Sequence, residues 1–177
     1  MKKILFFLTF IFLVISCKER DQDPDILPAA TQEGKNTGGA IVNGQVWVAK
    51  IEVPDTLPGG NNTYYDTSPL LNTFRLQIVL LKYTDSNSTI SFYLERNQDF
   101  SPGIYALDNN DNHDNHGSFS PNVLEIFNTN STNTGTLTIT RFDKVNRIVS
   151  GTFSFKAVNS AGEVVTITEG RFDRKFL

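Results

Sequence analysis

Between Thr136 and Phe176 the chain alternates polar and apolar residues with a period of two, a pattern that fits strands and does not fit helices. Thr136, Thr138 and Thr140 bracket Leu137 and Ile139. Thr152, Ser154 and Lys156 alternate with Phe153 and Phe155, and Val165 and Ile167 open a third run. Successive side chains of a strand point to opposite faces, so each run reads as a strand with one face turned inward. The phase shifts at Phe142–Asp143, which predicts a bulge. Asp143–Asn146 and Asn159–Gly162 supply turn formers between the runs. Gly170 interrupts the last strand, and Phe172 and Phe176 resume on the shifted face. Gly151 and Gly170 mark places where a strand bends or another backbone comes close. The three runs predict an antiparallel meander. Phe153, Phe155, Phe172 and Phe176 would each bury on the order of 150–200 Å² in it.

The same grammar runs upstream. Ala40-Ile41-Val42 and Gln45–Val48 flank Asn43-Gly44, a dipeptide that tolerates positive φ at both central positions of a tight hairpin. Residues 54–72 carry prolines, Gly59-Gly60 and asparagines, and read as a long loop. Phe74, Leu76, Ile78 and Leu80 alternate with Arg75 and Gln77, and Val79 and Leu81 make the second half of that strand apolar on both sides. Ile90, Phe92 and Leu94 alternate with Ser91, Tyr93 and Glu95. Asp85-Ser86-Asn87 joins these two strands as a hairpin. Shorter strands are expected at Ile104–Leu107 and Val123–Phe127. The mature chain has no helical pattern and no fixed-period repeat, and its lone cysteine allows no internal disulfide. An all-β domain of about ten strands follows. An antiparallel β-sandwich is expected, with a lipocalin-like or partly open barrel as the alternative.

The N-terminus reads differently. Lys2 and Lys3 precede a twelve-residue apolar segment, Ile4 to Ile15, too short to span a bilayer as a stable helix and suited to a signal peptide. Val14-Ile15-Ser16-Cys17 resembles the lipobox of bacterial lipoproteins, which implies cleavage of residues 1–16 and lipidation of Cys17 by acyl chains such as palmitate. Each buried methylene contributes roughly 0.8 kcal/mol, and one chain anchors only marginally, so several chains matter. Residues 17–38 are then a lipidated cysteine and flexible tether, since Lys18–Asp25 is charged and free of apolar side chains. Residues 39–177 are the single folded domain. A lysine and acids directly after the cysteine resemble the export signal of Bacteroidetes surface lipoproteins. An outer-membrane, surface-exposed location is expected, with the periplasmic face as the alternative. Removing residues 1–16 takes the formal net charge from −3 to −5. A mildly acidic surface of that kind argues against nucleic acid as a partner.

Three phrases stand out at the C-terminal end: Gly135-Thr-Leu-Thr-Ile-Thr-Arg-Phe-Asp143, Val149-Ser-Gly-Thr-Phe-Ser-Phe155 and Ile167-Thr-Glu-Gly-Arg-Phe-Asp173. Leu27-Pro-Ala-Ala-Thr-Gln-Glu-Gly-Lys-Asn-Thr37, the Val42-Asn43-Gly44 turn and Trp47 accompany them. Together they resemble a family of small Bacteroidetes lipoproteins of unknown function, the DUF6252-type proteins. The resemblance implies a lineage and a scaffold. It brings no activity and no catalytic residue.

One cluster could carry chemistry. Asp108, Asp111, His113, Asp114 and His116 lie within nine residues, interleaved with asparagines. As a calcium loop starting at Asp108 it fails at the sixth position, where His113 replaces glycine, and at the twelfth, where Phe119 replaces glutamate. His113 and His116 are spaced for a helix that the segment does not form. A loop of turn formers accounts for it more simply, and no metal centre is expected. Were a cation bound, oxygen donors outnumber nitrogens and favour Ca²⁺ over zinc. Nucleophilic catalysis lacks a motif, and Glu95, Glu125 and Glu169 read as outward positions rather than a glycosidase pair. Exposed aromatics are the remaining candidates. Tyr64 and Tyr65 in the long loop, with Tyr83, Tyr93 and Trp47, could stack on a ligand, while the simpler reading puts Trp47 in the core. Asp55-Thr56-Leu57 looks like a Bacteroidetes O-glycosylation site, which would mark that loop as exposed.

These features describe a lipid-anchored envelope protein that is not an enzyme and serves as a binding or accessory module. The ligand would be a glycan, a small molecule or another envelope protein. The alternatives are a structural surface protein acting by assembly and, third, a hydrolase.

Overall fold

The computed structural model describes residues 26–51, 63–83, 87–109 and 114–177. Twelve strands and no helix occur among them: β1 (Thr37–Val42), β2 (Gln45–Val48), β3 (Lys50–Ile51), β4 (Tyr64–Ser68), β5 (Thr73–Tyr83), β6 (Ser88–Arg96), β7 (Gly103–Leu107), β8 (His116–Asn122), β9 (Glu125–Asn128), β10 (Gly135–Asp143), β11 (Ile148–Val158) and β12 (Val164–Lys175). The all-β expectation holds.

Two antiparallel arrays make the fold. One runs β4-β5-β6-β8-β9, and the other runs β2-β1-β12-β11-β10-β7. Among the described residues, strand pairing joins them at two narrow places. Val158 of β11 pairs with Asn128 of β9, and β3 lies parallel to the end of β5 through Lys50–Lys82 and Ile51–Tyr83. β2 and β3 are separated only by Ala49, so the sheet curls back on itself. This is a sandwich closed at two short seams, or equally a partly open barrel.

The core lies between the arrays. Leu76, Ile78, Leu80, Ile90, Phe92 and Leu94 face Phe153, Phe155, Ile167 and Phe172, all essentially buried. Phe92 meets Phe153, Phe155 and Phe172 at centroid separations of 4.7, 5.8 and 6.5 Å. Gly170 makes room for this packing, because a Cβ there would stand 2.2 Å from the Phe153 ring. Its neighbour Glu169 takes φ 52° where β12 changes phase against β11. The Asn43-Gly44 hairpin forms as expected, with φ of 48° and 83°. Trp47 is core, and its Nε1–H donates to Ser88 Oγ at 2.8 Å.

Several boundaries differ from the sequence reading. The loop expected at 54–72 contains β4, which pairs along β5 from Tyr64–Gln77 to Ser68–Thr73. The strand expected at Val123–Phe127 begins only at Glu125. Val123 and Leu124 are the exposed turn of a hairpin whose first strand, β8, has too many small and polar residues to stand out. The bulge of β10 falls between Ile139 and Arg141 rather than at Phe142–Asp143.

Ordered contacts also begin before residue 39. The Asp173 carboxylate, buried in β12, accepts hydrogen bonds from Thr31 Oγ1 (2.6 Å), Ser150 Oγ (2.7 Å) and the backbone N–H groups of Glu33, Gly34 and Lys35. Next to it, buried Arg174 donates to Asn36 O at 2.9 Å. Residues 31–36 therefore belong with the domain rather than with a free tether. Burial alone would raise the Asp173 pKa, but the bonds from Thr31, Ser150, Glu33 and Gly34 outweigh it and carry the group down to about 2. A depressed folded pKa stabilises above the unfolded carboxylate range, and that stability is lost as pH falls from about 4 toward 2. Asp173→Asn should cost about 2–3 kcal/mol near neutral pH and flatten the acid limb of stability against pH, measured by urea unfolding.

Candidate functional site

Register decides which outward side chains meet. Tyr64 of β4 lies opposite Gln77 of β5, Gln77 opposite Tyr93 of β6, and Tyr93 opposite His116 of β8. Their neighbours Leu76, Ile78, Phe92 and Leu94 are core, so alternation turns this row outward. With strands about 4.8 Å apart, the row spans about 14 Å. One step along lies a second outward row, Asp66–Arg75–Glu95.

The two rows interlock. The Tyr93 and His116 rings stack at 5.6 Å with an interplanar angle of 25°. His116 Nδ1 is 2.8 Å from Asp114 Oδ1. Glu95 Oε2 accepts from Arg75 Nε at 2.6 Å and from the Tyr93 hydroxyl at 2.8 Å, and Arg75 Nη1 lies 3.9 Å from Asp66 Oδ2. Arg75, then Tyr93, holds the Glu95 carboxyl below its usual range. Burial, then the bond to Glu95, pushes the Tyr93 phenol up. The result is an aromatic platform ringed by fixed donors and acceptors. A recess of about 250 Å³ lies over Gln77, Ser91, Tyr93 and His116.

The sequence-derived candidates separate here. Adjacent residues of a strand face opposite ways, so Tyr64 is exposed in the platform row while Tyr65 turns inward. Tyr65 packs edge-on against Phe100, Phe142 and Phe176, and its hydroxyl donates to Asp99 Oδ1 at 2.8 Å, so it serves packing. Asp114 and His116 are brought together at the platform's edge, and Asp108 sits half-buried beyond β7. Asp111, His113 and Cys17 lie outside the described residues. Among the described residues no group of three or more His, Cys, Asp or Glu side chains could hold a metal.

Glu95 and Tyr93 were visible in the sequence as outward positions of one strand. Arg75 and Gln77 are legible in the same way, as outward positions of the strand that the expected hairpin sets beside it, whereas Asp66 falls in the loop expected at 54–72. Glu125 bonds Asn159 and Glu169 lies beside Arg171, each away from Glu95 in the fold. In the Glu95→Gln variant the Tyr93 phenol should titrate closer to an ordinary tyrosine, read by NMR of ring-labelled tyrosine.

A family model described as a domain of unknown function, DUF6252, matches residues 61–174. No curated protein and no solved structure matches the chain.

Proposed function

The chain belongs to the DUF6252 family of domains of unknown function, and we propose that it is a non-enzymatic recognition module of the cell envelope whose outer sheet face takes a glycan. The observation that carries this reading is the row Tyr64–Gln77–Tyr93–His116 with the charged row beside it. Sugar rings present one apolar face and a hydroxyl rim. A stacked aromatic pair offers the first a partner, and carboxylate, guanidinium and amide groups at fixed positions answer the second. A row of about 14 Å suits an oligosaccharide better than a single sugar. The platform stands on paired strands, so little ordering is required on binding.

The chemistry of Glu95 supports recognition over hydrolysis. A glycosidase acid needs a carboxyl whose pKa is raised toward neutrality, whereas Arg75 and Tyr93 keep Glu95 ionised. Ionised Glu95 is an acceptor for sugar hydroxyls. No metal is required by this reading.

The envelope location rests on the N-terminal sequence: the Lys2-Lys3 pair, the apolar Ile4–Ile15 segment and Cys17 after Ser16. A lipid at Cys17 would hold the domain at the outer membrane, facing outward on the strength of the lysine and acids that follow. Cys17→Ala should move the protein from the membrane to the released fraction on cell fractionation, and membrane retention of that variant would overturn the anchor.

The glycan reading is tested by calorimetry against soluble xylan, mannan, β-glucan and a glycosaminoglycan. One of them should bind the parent protein, and Tyr93→Ala or His116→Ala should weaken it about tenfold or more while the folded state persists by circular dichroism. Binding that is unchanged in both variants, or absent with every polysaccharide, counts against the platform.

A further inference from the structure

Beside the platform, a separate cleft of about 720 Å³ opens between the tail of β6 and strand β7. Its walls are unusual. Glu95 to Gln98 line one side and Gly103 to Ala106 the other, each an unbroken run of consecutive residues. Side chains along a strand alternate, and Tyr105 is buried while Ile104 and Ala106 are exposed. A space that touches all of them runs along the backbone edge of β7, not over one of its faces.

That edge is open. β7 pairs with β10 from Gly103–Ile139 to Leu107–Gly135, and on its other side it has no strand partner among the described residues. Across the cleft, the ladder between β6 and β8 ends at Tyr93–His116. Beyond it, the Glu95 N–H donates to the Asn115 side chain at 3.0 Å. The β6 wall is thus capped by a side chain, and β7 is left as the edge available for extension. The arrays touch near Leu107 and Gly117, so the slot is closed at one end.

We propose that this cleft receives a short extended peptide segment of a partner protein, added as a strand to the open edge of β7. Main-chain bonds to the edge would supply affinity, and alternate side chains would supply selectivity. Two features define the peptide. Ile104, the second residue of β7, is 75% exposed and would cover an apolar side chain. Glu95 and Asp114 put carboxylates on the wall, while the Arg96 guanidinium lies over the Tyr105 ring at 5.3 Å and is drawn against its own wall. A segment alternating β-branched and basic residues fits both. β7 is five residues long, so the bound strand would extend about 17 Å. The proposal uses the backbone of β7 and requires no stacking on the Tyr93–His116 pair, and it shares only Glu95 and Asp114 with the platform's charged rim.

The probe is a blocked peptide alternating valine with lysine, matched in length to β7, added to the isotope-labelled full-length protein. It should bind in the micromolar range and slow amide exchange at the edge of β7 by about tenfold or more. N-methylation of alternate peptide amides removes strand bonding without changing the side chains, and should abolish binding. Replacing lysine by glutamate in the peptide should weaken it about tenfold, and Ile104→Ser, at an exposed position, should weaken it several-fold without unfolding. Tyr64→Ala, at the end of the platform row away from Glu95 and Asp114, should leave peptide affinity unchanged, which separates this result from the glycan test. The proposal is overturned by absence of binding at millimolar peptide, by equal binding of the N-methylated form, or by protection confined to residues away from β7.

Discussion

Everything in this fold depends on two sheet arrays covering each other's apolar face through phenylalanine. Phe92 stands at the centre, with Phe153, Phe155 and Phe172 around it. A sheet with one apolar face has to bury it against something, and no helix is present among the described residues to do so. The bulky rings fit because glycines lie beneath them. A side chain at Gly170 would collide with Phe153, and one at Gly151 with Phe172 and the backbone of β10. With no disulfide available, this packing has to hold the two arrays, since among the described residues strand pairing between them amounts to a single pair on one side and two on the other, with isolated backbone bonds at Asn109–Asn115 and Leu177–Thr63.

The N-terminal strap closes what the seams leave weak. Asp173 draws Thr31, Glu33, Gly34 and Lys35 onto β12, and Arg174 holds Asn36 just before β1 begins. An ionised carboxylate surrounded by donors is a directional clamp, and burial strengthens each bond. Where β1 starts, Gly38 lies so close to Leu80 that a Cβ would sit 2.6 Å from its Cδ2. The strap, β1 and the opposite array are therefore positioned together.

Because the inner faces are fixed, the outer face is fixed as well. Phe92 and Leu94 point inward, which obliges Tyr93 and Glu95 to point out, and pairing to β5 and β8 then places Arg75, Gln77 and His116 beside them. The platform needs no mobile loop to assemble, and its charges are mutually satisfied before any ligand arrives. The cleft beside it has the opposite character: its wall at β7 is a backbone edge with bonding capacity to offer. One surface is thus suited to side-chain recognition and the other to strand recognition, on the same rigid frame.

The strands with strong alternation, the Asn43-Gly44 hairpin, the inward phenylalanines and the special role of glycine at 151 and 170 are all legible in the sequence. Those features are local: a period of two, a turn dipeptide, a residue without a Cβ. It could not reveal β8, because Gly117, Ser118 and Ser120 carry little apolar signal, nor β4, because tyrosine, aspartate and threonine outside a clear alternation look like loop. It also grouped Tyr64 with Tyr65, although a strand sends neighbours to opposite faces and makes one a surface residue and the other core. Folding in three dimensions settles the remaining adjacency, since of the platform's neighbours only the β5–β6 hairpin is legible locally. Tyr64, Gln77, Tyr93 and His116 are spread over more than fifty positions, and they form a row because hydrogen-bond register brings four strands alongside one another. Within a hairpin the turn and the alternation set the register, but the pairing of β4 with β5 and of β6 with β8 rests on burial of the opposite face across strands whose own pattern is weak.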